Sequence, residues 1–303
     1  MMGTLYSAAA GSLGTRHPLS LMTSLIQTKL ARAQEILRGF GRVVVAFSGG
    51  VDSTLLLKLA RETLGRNHLL AVIANSPSMA QADLEEARRL ASSLDVECLV
   101  INTAEVDNPA YRANGTSRCY FCKQELFSHL QRIAEERGMA VVLYGAITDD
   151  LQQERPGALA AADYAVRAPL QEAGLSKAEV RQAAKSFGLQ NWDRPQNACL
   201  ASRIPHGLEV TPEKLRIIEQ AEAVLRRLGF QQIRVRHLGE HARIEVGRDE
   251  VARFVEPTLQ HHMAEQFGLL GFHSIGIDQR GYRAGGADTS AVEELVLPTV
   301  LTA

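Results

Sequence analysis

The chain lacks a long apolar run, a surplus of either charge and the cysteine density of a small secreted domain, and each lack closes a class of function. No apolar stretch reaches the roughly 18 residues that cross a bilayer, and the opening MMGTLYSAAAGSLG has no basic stretch ahead of a sustained apolar core. Neither a membrane span nor a secretory signal is expected, and the chain reads as cytoplasmic. Lysine and arginine number 33 against 34 aspartates and glutamates, a formal net charge of -1. That balance does not suit a protein that coats nucleic acid or an anionic membrane, so an anionic ligand has to be gripped locally. Four cysteines in 303 residues are too few for a disulfide framework; in a reducing compartment they point to metal or catalytic roles. The nine histidines form no HExxH or other recognised ligand spacing, and His261-His262 reads as a solvated helix face. Internal repeats and low-complexity blocks are absent.

What is present is an alternation of strands and helices. With 46% hydrophobic residues the chain can bury one larger and one smaller core. Apolar positions recur at helical spacing from residue 22 to 39, and RVVVAF (42–47) follows as a short β-branched run. SGGVDS and the helical TLLLKLARETLG come next, closing at Gly65; LLAVIAN (69–75), ADLEEARRLASSL (82–94) and VECLVIN (96–102) continue as strand, helix and strand. A polar loop (103–118), a helix from about Lys123 to Arg137 and the strand AVVLYGA (140–146) extend the series. Such βαβ units predict an α/β fold with a doubly wound parallel sheet. SKAEVRQAAKSFG (176–188) is a helix with Ser176 as N-cap and Glu179 three residues on.

Beyond IPHGLEVTP the pattern changes. Thr211-Pro212-Glu213 starts a helix that ends at Gly229; FQQIRVRH and ARIEVG are short strands, and a helix over 249–267 and the strand FHSIGID follow. The expected organisation is a flexible leader (1–20), a large nucleotide domain (21–205), a smaller C-terminal α+β domain (206–283) suited to pairing into a homo-oligomer, and a flexible tail (284–303).

Ser48-Gly49-Gly50-Val51-Asp52-Ser53 stands where a buried strand hands over to a helix. Paired glycines let backbone N–H groups approach phosphate oxygens, the helix N-terminus adds partial positive charge, and Ser48 and Ser53 add hydroxyls. Asp52 is placed to hold Mg2+ against a polyphosphate. The loop has no Walker A lysine and is not GxGxxG. It resembles the PP-loop of ATP pyrophosphatases, with their adenine nucleotide alpha hydrolase-like fold. That likeness implies that ATP is cleaved between its α- and β-phosphates to give an adenylate. Adenine and ribose are then expected over the strand carboxyl ends, near Ala46, Asn75, Ser76 and Gly145.

Cys119 and Cys122 stand with two residues between them at the start of a helix, and Cys199 follows in NACLASR. Three thiolates are one short of a closed zinc site and suit a [4Fe-4S] cluster with one iron left open. A zinc half-site completed by a histidine and a pair of unligated core thiols remain open readings. Cys98, in VECLVI, reads as a small buried hydrophobe. Cys199 has Arg203 nearby, and a guanidinium favours the thiolate that would attack an acyl-adenylate.

Taken in order, SGGVDS, RCYFCKQELF (118–127), YGAITDDLQQERPG (144–157), APLQEAGLSKAEVR (168–181), NACLASRIPHG (197–207) and RVRHLGEHARIEV (234–246) resemble the ATP-dependent sulfur transferases called LarE, over residues 25–283. The resemblance implies a small-molecule nucleotide substrate, pyridinium-3,5-biscarboxylic acid mononucleotide. Its carboxylates would be adenylated and converted to thiocarboxylates for the nickel-pincer cofactor of lactate racemase. In members with a single cysteine at the position of Cys199, that residue gives up its own sulfur and becomes dehydroalanine. Members with the CxxC as well resemble cluster-binding transferases, and the three cysteines here favour Cys119, Cys122 and Cys199 as ligands of a [4Fe-4S] cluster, with ATP and Mg2+ as the other cofactors. The source of the sulfide is left unspecified. The resemblance also implies that Arg203, Arg234 and Arg236 clamp the substrate phosphate, that Glu222 and Glu245 lie near the active site, and that Tyr120 stacks on the pyridinium ring. A PP-loop tRNA thiolase also combines SGGxDS with three cysteines, but it needs an RNA-binding surface that a charge of -1 does not suggest. A PP-loop amidotransferase or synthetase, and a non-catalytic nucleotide sensor, would have no use for the cysteines.

Overall fold

The computed structural model describes residues 18–152, 156–195, 198–283 and 293–297. Residues 1–17 of the expected leader and most of the expected tail lie outside them. Helix α1 (Pro18–Phe40) aligns Ile26, Leu30, Ala33 and Leu37 in one buried stripe. It begins at Pro18, inside the stretch expected as leader, because proline's fixed φ suits a first helical turn. The chain continues through β1 (Val43–Ala46), α2 (Val51–Leu64), β2 (Leu69–Asn75), α3 (Gln81–Ser93) and β3 (Glu97–Asn102). Next come α4 (Pro109–Arg112), α5 (Arg118–Glu136), β4 (Val141–Leu143), α6 (Pro156–Asp163), α7 (Pro169–Glu172) and α8 (Lys177–Ser186).

The four strands pair in parallel in the order β3-β2-β1-β4, which is the α/β sheet expected. Side-chain alternation decides which helices cover which face. Val43, Val45, Leu69, Ala71, Ile73 and Leu143 pack with residues of α1, α2, α3 and α8. Val44, Leu70, Val72 and Val142 pack with Phe127, Leu130 and Ala134 of α5 and with Ala160 and Ala161 of α6. Both faces are therefore dry, which is why these strands are written almost wholly in β-branched and aliphatic residues. Strands β2 and β4 leave β1 on opposite sides, so a crevice opens above the carboxyl end of β1.

Several local expectations shift. Helix α5 begins at Arg118, earlier than expected, so Cys119 and Cys122 lie within its first two turns. The expected strand 140–146 shortens to Val141–Leu143, because Tyr144 donates its N–H to the carbonyl of Arg167 as the chain leaves the sheet. The polar loop contains α4, capped by the Asn108 side chain.

The second unit consists of α9 (Pro212–Arg227), β5 (Ile233–Leu238), β6 (His241–Val246), α10 (Pro257–Leu269), β7 (Ser274–Asp278) and β8 (Glu294–Val296). Its mixed sheet runs β5-β6-β7-β8, with only β6 and β7 parallel. Leu225, Val235, Ile244, Phe254, Phe267 and Ile277 form its core. The expected helix 249–267 breaks before Pro257 into a 3-10 segment, Val251–Val255, and α10. Strand β8 falls within the expected flexible tail; Leu297 beside it is 2% exposed, so burial ties this part of the tail to the sheet.

A fourth apolar cluster joins the two units: Tyr111, Leu200, Ala201 and Ile204 from the first pack against Val210, Leu215 and Ile218 at the start of the second. Among the described residues no helix is long and apolar enough to cross a membrane.

Gly145, just beyond β4, lies against the first turn of α2. A Cβ there would stand 2.8 Å from the Ser53 nitrogen and 3.0 Å from its Cα, so only glycine fits without movement. Gly145→Ala is expected to cost about 1–3 kcal/mol of stability and to weaken ATP binding together with it. Thermal denaturation with and without ATP-Mg2+ checks this, and an unchanged melting temperature and ATP shift would contradict the close approach.

Candidate active site

The PP-loop joins β1 to α2. Gly49 adopts φ +73, and a Cβ on it would meet the Ala87 side chain of α3 at 2.9 Å, so conformation and packing both demand glycine. Gly50 is the N-cap of α2, and no side chain caps that terminus. Its first-turn N–H groups therefore face the crevice as an anion site. The loop is braced from below: the Ser53 hydroxyl donates to the Gly50 carbonyl at 3.0 Å, and Thr54 does the same at 2.9 Å. Buried Asn191 donates to the Gly49 carbonyl and to Thr54 Oγ1, both at 2.9 Å.

Ser48, Gly49, Gly50 and Asp52 line a cleft whose other walls include Lys177, Arg194 and Cys199. Lys177, the first residue of α8, places Nζ 2.9 and 2.7 Å from the two carboxylate oxygens of Asp52. A full capping box on Ser176 and Glu179 fixes that end of α8. Burial pushes the Asp52 carboxyl above its ordinary pKa, and the Lys177 ammonium opposes the shift. Across the cleft Arg194 pairs with Asp83 at 2.8 Å.

Cys199 is exposed and immediately precedes a 3-10 turn, Leu200–Arg203. The carbonyls of this turn are held by guanidiniums. Arg203 Nη1 donates to the carbonyls of Ala198 and Cys199, the latter at 2.9 Å. Arg236 Nη1 donates to the Ser202 carbonyl at 2.9 Å and Arg118 Nη1 to the Ala201 carbonyl at 3.0 Å. The Leu200 N–H donates to the Ser78 carbonyl at 2.8 Å.

Two of these arginines carry buried counter-ions. Arg203 meets Glu222 at 2.9 and 3.3 Å, and that same carboxylate accepts from the Val235 N–H. Arg236 binds Glu245 in a fork at 2.9 and 2.8 Å. Arg203, Glu222, Arg236 and Glu245 are all within 5% exposure, so their charges balance inside the protein. The resemblance implies a phosphate clamp for Arg203 and Arg236 and a place near the active site for Glu222 and Glu245; here these four side chains are engaged with one another and with the backbone of the Cys199 turn. Arg234 is half-buried and stacks over the Tyr282 ring at 5.2 Å. Burial lowers its pKa, helped by the charge of Arg203.

Cys122 packs against the cluster that contains Leu200, Ala201 and Tyr111. Burial pushes its thiol up to about 12, with smaller contributions from Glu105 and from Cys199 and Cys119, so the three sulfurs share one electrostatic neighbourhood. Tyr111, its hydroxyl hydrogen-bonded to Ser78 Oγ at 2.5 Å, is raised by burial first and by the charge of Cys199 next. Among the described residues no three His, Cys, Asp or Glu side chains form a group that could hold a metal ion. Cys98 on β3 is half-buried against the main core.

The structure thus brings Ser48, Gly49, Gly50, Asp52 and Cys199 to one cleft, with Ser53 and Gly145 directly behind it. Ala46 ends β1 at the same crevice. Ser76 donates to buried Glu105, which also accepts from Thr103 at 2.9 Å. Tyr120 does not line the cleft: its hydroxyl donates to Asp163 of α6 at 2.7 Å. Sequence reasoning missed Lys177, Asn191, Arg194 and Arg118. Only Lys177 left a signal, as the residue following a recognised N-cap.

A model of the NAD synthase family matches residues 25–131, the stretch that holds the PP-loop. An uncharacterised protein of Synechocystis is 40% identical over 86% of this chain and 97% of its own length. The pyridinium-3,5-bisthiocarboxylic acid mononucleotide synthase of Lactiplantibacillus plantarum is 35% identical over 86% of this chain and 94% of its own. An argininosuccinate synthase of Natronomonas pharaonis, 29% identical, aligns with 49% of this chain.

Two outcomes follow from the geometry. The protonated Asp52 carboxyl contributes stability that is full below the ordinary aspartate pKa and is lost as pH rises through its raised one. The ionised form therefore depends on Lys177. Lys177→Met should move the acid limb of ATP cleavage up by roughly one pH unit; a pH–rate profile with the limb unmoved would refute the pairing. Glu222→Ala leaves Arg203 buried without its carboxylate and should cost about 3–5 kcal/mol, whereas Arg203→Met combined with Glu222→Leu should cost less. Urea denaturation reads both, and equal losses would show that charge balance is not what matters there.

Proposed function

The chain belongs to the LarE family of ATP-dependent sulfur transferases, and from that premise we propose that it adenylates the carboxylates of pyridinium-3,5-biscarboxylic acid mononucleotide and converts them to thiocarboxylates. The product would serve the nickel-pincer nucleotide of lactate racemase. The observation that carries this reading is that Cys199 forms a wall of the cleft whose floor is the PP-loop. A PP-loop synthetase needs the floor alone, whereas a sulfur transferase needs both.

In this reading the amide groups of Gly49 and Gly50 and the N-terminus of α2 would hold the β- and γ-phosphates, and Asp52 would hold Mg2+, which would neutralise charge on the polyphosphate. Lys177, once released from Asp52, would turn to the polyphosphate. A substrate carboxylate oxygen attacks the α-phosphorus, the bond to the bridging oxygen breaks, and pyrophosphate leaves. Arg194 and the flanking loop keep the acyl-adenylate facing residue 199. Arg234, on β5 beside Arg236, would meet the substrate phosphate together with Arg203 and Arg236.

Three thiols are the donor chemistry of a [4Fe-4S] cluster, and Cys119, Cys122 and Cys199 would be its ligands; as they stand they do not form a metal-holding group. Bound there, a cluster with one iron lacking a protein ligand would supply an exchangeable sulfide. A second reading is favoured by a separate observation: of the three, Cys199 alone lines the cleft. Its thiolate would then attack the acyl carbon and displace AMP. Loss of the Cα proton and cleavage of the Cβ–S bond would leave a thiocarboxylate on the substrate and dehydroalanine at position 199. Dimers or larger homo-oligomers are part of the proposal for the C-terminal sheet.

Cys199→Ala should abolish thiocarboxylate formation in either reading, with at least a hundredfold loss, and Asp52→Ala should abolish pyrophosphate release first. Thiocarboxylate made at the normal rate by Cys199→Ala would sink the assignment. Anaerobic purification with iron and sulfide analysis, followed by intact mass after turnover, separates the two routes. Four irons per chain and unchanged mass support the cluster, and loss of one hydrogen sulfide from the protein supports sacrifice.

A further inference from the structure

Three guanidiniums hold the Cys199 turn, and they are not equivalent. Arg203 ends the turn, Arg236 reaches it from the C-terminal sheet, and they carry Glu222 and Glu245 as counter-ions. Arg118 reaches it from the CxxC helix, of which it is the first residue. It is 7% exposed, and among the described residues no carboxylate lies within ion-pairing distance of it. Its other acceptor is the Asn114 side chain, one turn earlier.

Asn114 is itself built into the joint. It is fully buried with φ +54, a left-handed conformation that asparagine tolerates better than most residues. Its Nδ2 donates to the carbonyls of Ile204 at 3.2 Å, Pro205 at 2.7 Å and Leu208 at 2.8 Å. Asn114 therefore fixes the segment just after the turn and orients Arg118 onto the turn itself. Arg118 and Cys122 are four residues apart, on one face of α5. One guanidinium thus links the face bearing Cys122 to the backbone two residues beyond Cys199.

We propose that Arg118, oriented by Asn114, is the positioning residue that registers Cys199 against Cys119 and Cys122 and so assembles the three sulfurs into one site. A buried cation without a carboxylate partner is expensive, and it is eased where negative sulfur gathers close by. Arg118 would act on sulfur delivery and leave adenylation alone, because its contacts are with the Cys199 turn and the Asn114 side chain. The role rests on the sulfur-transfer reading for its purpose, but its geometry can be tested without any substrate.

The test uses the full chain, reduced and free of metal, treated with dibromobimane, which bridges only neighbouring thiols. Peptide mapping of wild type should show Cys199 joined to Cys122 or Cys119. In Arg118→Gln, with folding checked by circular dichroism and melting temperature, that cross-link should fall at least fivefold, while any bridge between Cys119 and Cys122 persists. Arg118→Lys, which keeps the charge but loses the planar fork, should give an intermediate yield and serves alone if the glutamine variant does not fold. In turnover, the kcat for sulfur transfer should fall about tenfold, with pyrophosphate release and the KM for ATP within twofold of wild type. An undiminished Cys199 cross-link in a folded variant overturns the proposal, as does an equal loss of adenylation and transfer. If the cross-link falls but no thiocarboxylate is made even by wild type, the positioning role stands and the functional reading fails.

Discussion

The grip of three buried guanidiniums on one short turn is the constraint on which the rest of this molecule depends. Arg118, Arg203 and Arg236 hold the carbonyls of Ala198, Cys199, Ala201 and Ser202, and they come from three different elements: the CxxC helix, the turn itself and the C-terminal sheet. Each alone would be a modest charge-assisted hydrogen bond. Together they fix where the one cysteine of the cleft stands, and they make that position depend on both halves of the fold. Two of the three bring their own carboxylates, which lets the charges stay inside the protein; removing a single partner would leave an uncompensated ion.

That arrangement explains why the smaller unit is attached at all. A parallel sheet with a PP-loop is sufficient to bind and cleave ATP. Placing sulfur over the resulting adenylate requires a rigid loop that crosses the crevice, and a 3-10 turn of four residues has little stability of its own. The C-terminal unit supplies the missing rigidity through Arg236 and Glu245 of its sheet and Glu222 of α9, while Leu200, Ala201 and Ile204 add an apolar seat. On the opposite wall, Lys177 holds the Asp52 carboxylate in place.

Much of the fold was legible in the sequence because its signals are local. The valine run of β1, the glycine pair after it and the Ser176–Glu179 box each declare their structure within a few residues. The cleft was legible at its floor, since SGGVDS carries its own chemistry, and at Cys199. Lys177 was not, because its partner lies 125 residues away in the chain and a lysine at a helix start is ordinarily solvated. The arginines were visible as residue types, but whether a guanidinium faces a ligand or a buried carboxylate depends on long-range packing. Hence Arg203 and Arg236 were expected at the substrate and are found in the interior, and Tyr120 was expected on a pyridinium ring and is found against Asp163. Strand β8 escaped notice for a simpler reason: three residues are too few to show a period.

The central claim is that adenylate and sulfur meet in one cleft. An adenosine vinylsulfonamide mimic of an acyl-adenylate, which traps a thiol lying beside the bound acyl group, tests it most directly. Incubated with the metal-free protein and mapped by peptide mass spectrometry, it should label Cys199 and spare Cys98, with ATP-Mg2+ protecting. Labelling that misses Cys199, or that ATP does not suppress, would contradict the account.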